Sequence, residues 1–268
     1  MRNVIERIAN ESLKKFDIRI VKRSYIKQLE KNLKAANVMK MLLECPLRED
    51  LPCGPQDAKL LKALRHSRSQ LGQDLFALSY LGFRPGGYFV EFGATNGIDL
   101  SNSYLLETQF GWNGIVAEPA RRWHTDLRKN RICHIETNCV WRESDSVLTF
   151  NEADSGEYST IDSYSSSDEN SQKRRNGQTY SVETISLKDL LDKYKDPGTI
   201  DFLSIDTEGS EYEILRNFEF NKYQFRVITC EHNYGPGREE IFALLTGHGY
   251  VRKFEELSTF DDWYVKTE

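Results

Sequence analysis

Tyr88-Phe89-Val90-Glu91-Phe92-Gly93-Ala94-Thr95-Asn96-Gly97 is the stretch on which the reading of this chain turns. A short apolar run stops at a glycine, and a second glycine follows four residues later. Such a run, too short for a helix and bounded by glycine, reads as a buried strand entering a tight turn. The same grammar recurs downstream. Gly114–Glu118 is stopped by Pro119, and Ile132–Ile135, Asp201–Asp206 and Arg226–Glu231 are further strand-like runs. Helical segments separate them, at Asn102–Phe110, Ala120–Asn130, Leu187–Tyr194 and Ser210–Phe218. Arg238–Gly247 then leads to two last strand-like stretches, Tyr250–Glu255 and Trp263–Lys266. Strand alternating with helix predicts an α/β fold with a mostly parallel sheet and helices on both faces. Ligands of such sheets bind beyond the carboxyl ends of the strands. Here those ends carry Glu91, Glu118, Asp206 and Glu231, an acidic rim.

The rim already selects among ligands. The loop is E-x-G-x-x-x-G, not the G-x-G-x-x-G that sets backbone amides against a pyrophosphate. Its glycines permit a tight turn and close backbone approach. Its leading Glu91 repels a pyrophosphate and attracts an ammonium group. S-adenosylmethionine carries an ammonium and a sulfonium and no phosphate. Glu118 ends the next strand, placed to accept from both ribose hydroxyls. A lone glycine turn without function is the alternative reading.

The second half adds a further group. Adjacent strand ends lie about 4.8 Å apart, so Asp206 and the Glu231-His232-Asn233 cluster face one small volume. Oxygen and imidazole donors in that arrangement suit Mg²⁺, Mn²⁺ or another divalent ion. Such an ion would lower the pKa of an acceptor hydroxyl. Glu208, two residues past Asp206, is then the expected general base, with His232 as its rival. Without a metal, either residue serves as base alone. A purely structural alternative has Asp206 and Glu211 capping the helix that starts near Ser210.

Several blocks resemble one family. Glu91–Gly97, Ser101–Glu107, Gly111–Ile115, Glu118-Pro119 and Asp206-Thr207-Glu208-Gly209-Ser210-Glu211 look like those of the FkbM family of S-adenosylmethionine-dependent methyltransferases. Ser69–Asp74, Glu231-His232-Asn233 and Phe260–Tyr264 fit the same pattern, so the resemblance spans about residues 69–266. It implies a seven-stranded class I methyltransferase (Rossmann-like) fold and transfer to oxygen, often in glycan, capsule, lipopolysaccharide or natural-product pathways. It places the cofactor against Glu91, Gly93, Thr95, Asn96, Gly97, Ser101, Asn102, Glu118 and Asp206, with Gln70 covering it. By position, Asn138 and Cys139 lie where class I enzymes contact adenine. The Asp206 and Glu231-His232-Asn233 pairing is similar to metal-dependent O-methyltransferases of the catechol and macrocin types.

Composition bounds the rest. The 268 residues, 39% hydrophobic and 29% charged, suffice for a sizeable core. Five cysteines without a CxxC pair argue for a reducing cytoplasm, and the charged first twenty residues give no leader or membrane span. Residues 1–40 hold eleven Lys/Arg against four Asp/Glu, a balance of +7 that leaves −12 for the remainder. An acidic body is a poor partner for nucleic acid. The basic arm offers a contact to a membrane surface, an acidic partner or a second copy, its plainest reading being a solvated helix face. Helices are expected over 3–44, a proline-broken linker over 45–55, and a mobile loop over the polar stretch Ser155–Gln178. The expected division is an N-terminal helical extension, 1–65, and a catalytic domain, 66–268. The alternative function is a non-catalytic binding module docking through the arm. Deleting residues 1–55 should leave cofactor binding intact while altering self-association or attachment, measured by calorimetry and sedimentation. Loss of cofactor binding together with cooperative melting would show instead that the arm covers the core.

Overall fold

The computed structural model describes residues 55–166, 170–194 and 199–267, without side chains at 55–58 and 61. The helices expected over 3–44 and the basic arm lie outside the described residues, as does the linker expected over 45–55 except Pro55, which begins a helix. Seven strands form the main sheet: β1 (Tyr88–Phe92), β2 (Asn113–Ala117), β3 (His134–Glu136), β8 (Thr199–Ile205), β9 (Gln224–Glu231), β10 (Tyr250–Lys253) and β11 (Asp261–Lys266). Their order is β3-β2-β1-β8-β9-β11-β10. The pairs from β3 to β9 are parallel, and β11 runs antiparallel to both its neighbours. The chain leaves β1 in one direction toward β2 and β3, and returns on its other side with β8. That reversal opens a crevice above β1.

Alternation along the strands builds two cores. Val90 and Phe92 of β1 join Ile115, Leu203, Ile205 and Ile228 on one face. Phe89 joins Val116, Phe202, Val227 and Trp263 on the other. Helix α1 (Pro55–Leu64) sends Leu60 and Ala63 into that second core beside α2 (Gln73–Tyr80). Trp263 is fully buried and stacks on Phe76 at 4.9 Å. Trp112 and Cys230 are likewise core residues. Among the described residues, no helix is long and apolar enough to cross a membrane.

The polar stretch Ser155–Gln178 is not a plain loop. A second, four-stranded sheet runs through this region: β4 (Cys139–Trp141), β7 (Gln178–Ser186), β5 (Val147–Glu152) and β6 (Thr160–Ile161), in that spatial order. Trp141, Phe150, Ile161 and Val182 give it a small core of its own. The stretch between β5 and β7 carries β6 and a helical turn, α5 (Ser171–Arg174). Its composition is polar because most of this sheet is solvated, which is why it reads as a loop.

What fixes the loop after β1 is a buried ionic network. Glu91 lies on the Phe89 face and accepts from Ser101 Oγ at 2.9 Å, from Asn102 N–H at 2.6 Å and from Ser103 Oγ. Arg131, wholly buried, lies 3.5 Å from Glu91 and pairs with Glu107. It also donates to Ser103 Oγ at 2.8 Å. Glu107 in turn accepts from the N–H groups of Ile132 and Cys133, both at 2.9 Å. Removing one partner of a buried ion pair strands the other. Arg131→Met should therefore cost about 3–5 kcal/mol, read as a lower denaturant midpoint at unchanged slope. A loss below about 1 kcal/mol, at the scale of a single ordinary hydrogen bond, would show that something else holds the loop.

Candidate active site

The ends of β1, β2 and β8 surround a cleft, the place where sheets of this kind bind small molecules. Gly93 sits at its base with φ 75°, and a Cβ there would lie 2.2 Å from the Asp206 carbonyl oxygen. The loop after β1 thus rests directly on the loop after β8, which only glycine allows. Thr95 and Glu118 face the same cleft. Glu118 accepts from the N–H groups of Thr95 and Ala120, both at 2.8 Å. Burial pushes its carboxyl up to about 7 despite those bonds. They use two of about four lone-pair positions. Asn102 also lines the cleft. Its Nδ2 donates to Ser204 Oγ at 2.9 Å, and its buried Oδ1 has no hydrogen-bond partner.

A trio of carboxylates closes one end. Oxygens of Asp206, Glu208 and Glu231 lie within 4.8 Å of one another. Asp206 and Glu231 face each other from the ends of β8 and β9. Burial pushes Asp206 up to about 7, and burial with the neighbouring Asp206 holds Glu231 well above the usual carboxylate range. Asn233 donates to Glu231 at 2.7 Å and to Glu208 at 3.1 Å. Glu208, Asn233 and Tyr234 all have positive φ, at 58°, 44° and 55°. Backbone held in sparsely populated regions gathers at functional sites. Glu211 does not cap the helix as the structural alternative expects: at the start of α7 (Glu211–Arg216), which has no side-chain cap, it reaches back to accept from the N–H groups of Thr207 and Gly209 in the loop before it.

The structure redistributes several expected roles. Glu91 lines the cleft, but its carboxylate is engaged by Ser101, Asn102, Ser103 and Arg131. It shapes the loop rather than standing free for an ammonium. His232 does not join the carboxylates: its Nδ1 accepts from Tyr234 N–H at 3.0 Å, and its Nε2 lies 3.7 Å from Asp262. Glu208 takes its place in the cluster, tied by Arg174 at 2.5 Å. Cys139 lines the cleft, its buried thiol pushed up to about 12, whereas Asn138 is absent from the lining. Gln70 is exposed and away from the cleft, although its neighbour Ser69 bridges to Leu100 on the rim. Asn96 caps its own loop by accepting from Ile98 and Asp99 N–H. Gly97, at φ 84°, lets Arg131 and Leu127 pack against it. Ser101 acts through Glu91.

Arg131 and Arg174 were not expected from the sequence. Each stands among other basic residues, Arg128 and Lys129 before Arg131 and Lys173 and Arg175 beside Arg174, with no spacing that marks it. Arg174 belongs to the second sheet's connection and brings that segment over the cleft, where Gly156, Ser159 and Ile161 complete the wall.

A family model for the methyltransferase FkbM domain matches residues 91–259. Among solved structures, precorrin-6y C5,15-methyltransferase from Geobacter metallireducens GS-15 is 15% identical over 75% of this chain and 82% of that one, at a TM-score of 0.38. Methyltransferase FkbM from Methylobacillus flagellatus KT is 12% identical over 80% of this chain and 60% of that one, at 0.41. Curated proteins give no match. Because the matched residues make up more than half of its length, the chain belongs to the FkbM methyltransferase family.

Proposed function

We propose that the protein is an S-adenosylmethionine-dependent O-methyltransferase acting on a sugar hydroxyl. The observation that carries this reading is the convergence of Asp206 and Glu231 at neighbouring strand ends, against the cleft framed by Gly93 and Glu118. S-adenosylmethionine supplies a methyl group activated by its sulfonium. The open lone pairs of Glu118 suit the ribose hydroxyls, and the orphaned Asn102 Oδ1 suits the ammonium. Cys139, Val140 and Phe150 offer an apolar wall for the adenine. The described lining contains no Lys or Arg, which disfavours a dinucleotide.

In the transfer, the acceptor oxygen forms a bond to the methyl carbon as the carbon–sulfur bond breaks, and S-adenosylhomocysteine leaves. Without a bound ion, the hydroxyl proton goes to the Asp206–Glu231 pair; with one held by these oxygens, it leaves to water from the acidified hydroxyl. A carboxylate pair raised toward neutrality is a better base than a free one. Glu208, bound to Arg174 and Asn233, is left to position that pair. The oxygen donors of Asp206, Glu208 and Glu231 fit a hard divalent ion such as Mg²⁺ or Mn²⁺, which would supply charge that lowers the hydroxyl's pKa.

Glu231→Gln should lower turnover roughly 10²–10⁴-fold while S-adenosylhomocysteine affinity stays within about threefold, since Glu231 lies outside the cofactor cleft. Turnover should rise with pH through about 7, because the base must lose its proton and burial lifts Asp206 to that range. EDTA dialysis should abolish activity and Mn²⁺ or Mg²⁺ restore it. Full activity after EDTA would leave the carboxylate pair as a metal-free base. Wild-type turnover by Glu231→Gln would remove the pair from the chemistry.

A further inference from the structure

A second cavity, of about 820 Å³ with its mouth, adjoins the carboxylate trio on the side away from the cofactor cleft. It shares Glu231 with the trio and is also lined by Asn233, which donates to Glu231 and Glu208; Tyr164, Tyr212, Arg238 and Glu240 line its walls. His232 lines it as well. That residue is 8% exposed, its Nδ1 is used by Tyr234 N–H, and its Nε2 has no hydrogen-bond partner of good geometry. A neutral imidazole with Nδ1 accepting carries its hydrogen on Nε2, a buried donor whose facing oxygen, Asp262 Oδ1 at 3.7 Å, lies beyond hydrogen-bond distance. Buried polar atoms left unpaired are costly, and a ligand oxygen removes that cost.

The charge of the walls narrows the ligand. Glu211, Glu213, Glu231 and Glu240 line this cavity against one cation, Arg238. That guanidinium is already taken: it donates to Asp262 through Nε at 3.0 Å and through Nη2 at 2.8 Å, and it lies 3.2 Å from Glu255. Across both cavities Arg238 is the one Lys or Arg among the described lining residues. Phosphate recognition relies on arginine, lysine or bare amides. Carboxylates repel phosphate instead, most strongly where water is scarce. Carboxylates accept well from hydroxyl and ammonium groups, and the half-buried Tyr164 and Tyr212 offer faces for the apolar side of a sugar ring.

We infer that this cavity is the acceptor subsite, and that it takes a neutral or amino-bearing saccharide unit while rejecting phosphorylated and nucleotide-linked sugars. The inference rests on the methyltransferase reading and names its substrate class. His232 and Glu240 would act as specificity residues, with Glu231 beside the reacting hydroxyl.

The test uses the full chain with S-adenosylhomocysteine bound. Binding of glucose and glucosamine is compared with that of their 6-phosphates and of UDP-glucose by saturation-transfer NMR, and in a separate reaction with S-adenosylmethionine as donor, methyl transfer is followed as S-adenosylhomocysteine formed. The expected result is at least tenfold tighter binding of the uncharged or amino sugar than of its phosphate. Glu240→Lys, an exposed wall position, should narrow that ratio at least threefold, and His232→Ala should weaken the sugar without changing S-adenosylhomocysteine affinity. Equal or tighter binding of the phosphates or of UDP-glucose, or binding of none of the probes, would overturn the inference. Calorimetry with S-adenosylhomocysteine alone separates the two levels. If it binds while phosphates are preferred, the subsite assignment falls and the methyltransferase reading stands. If it does not bind, the methyltransferase reading itself falls.

Discussion

The buried pairing of Glu91 with Arg131 is the constraint from which the rest of the site follows. Glu91 stands on the face of β1 that a core residue would otherwise fill, and its carboxylate gathers the chain at Ser101, Asn102 and Ser103. Arg131 neutralises it and is itself steadied by Glu107. The segment from Gly93 to Ser103 therefore has a fixed path before any ligand arrives. Its contact with the loop after β8 leaves no room for a side chain at Gly93. A glutamate in this position is expensive unless paired, and here it is paired and fully hydrogen-bonded.

Each acid of the rim meets the cost of burial in a different way, and the differences assign the roles. Glu91 and Glu208 are balanced by buried arginines and act as struts. Glu118 leans on two backbone amides and keeps lone pairs for a ligand. Among the described residues Asp206 and Glu231 have no arginine partner; they face each other, and Asn233 donates to Glu231. Groups whose environments pull their proton affinities apart are where acid–base work is found. By that criterion we assign the base to the pair in the proposed reaction and a positioning role to Glu208. Arg174 couples the two halves of the molecule, since the segment that carries it walls the cofactor cleft while its guanidinium holds Glu208 beside the pair.

Much of the main sheet was legible because its strands are short apolar runs closed by glycine, proline or an acid. Tyr88–Phe92, Leu187–Tyr194 and Arg238–Gly247 match their expected bounds. The second sheet was not legible: Gln178–Ser186 alternates only loosely, with Val182, Thr184 and Ile185 buried, and its partner Val147–Glu152 is half polar and buries only Phe150 and Asn151. Residue types at strand ends pointed to the cleft, as with Gly93, Thr95 and Glu118. They did not reveal which carboxylates were already engaged. His232 shows why: adjacency in sequence puts neighbouring side chains of an extended chain on opposite sides, so it turns toward Asp262 while Glu231 turns toward Asp206. Long-range partners such as Arg131 and Arg174 have no local signature at all.

The central assignment is the cleft of Gly93, Thr95 and Glu118 as the seat of the S-adenosyl group, and calorimetric titration with S-adenosylhomocysteine tests it most directly. The wild-type chain should bind one equivalent. Glu118→Ala removes two charge-assisted hydrogen bonds to the ribose, each worth about 1.5–3 kcal/mol, so affinity should fall at least tenfold. No binding by the wild-type protein, or equal affinity in the two proteins, would contradict the assignment.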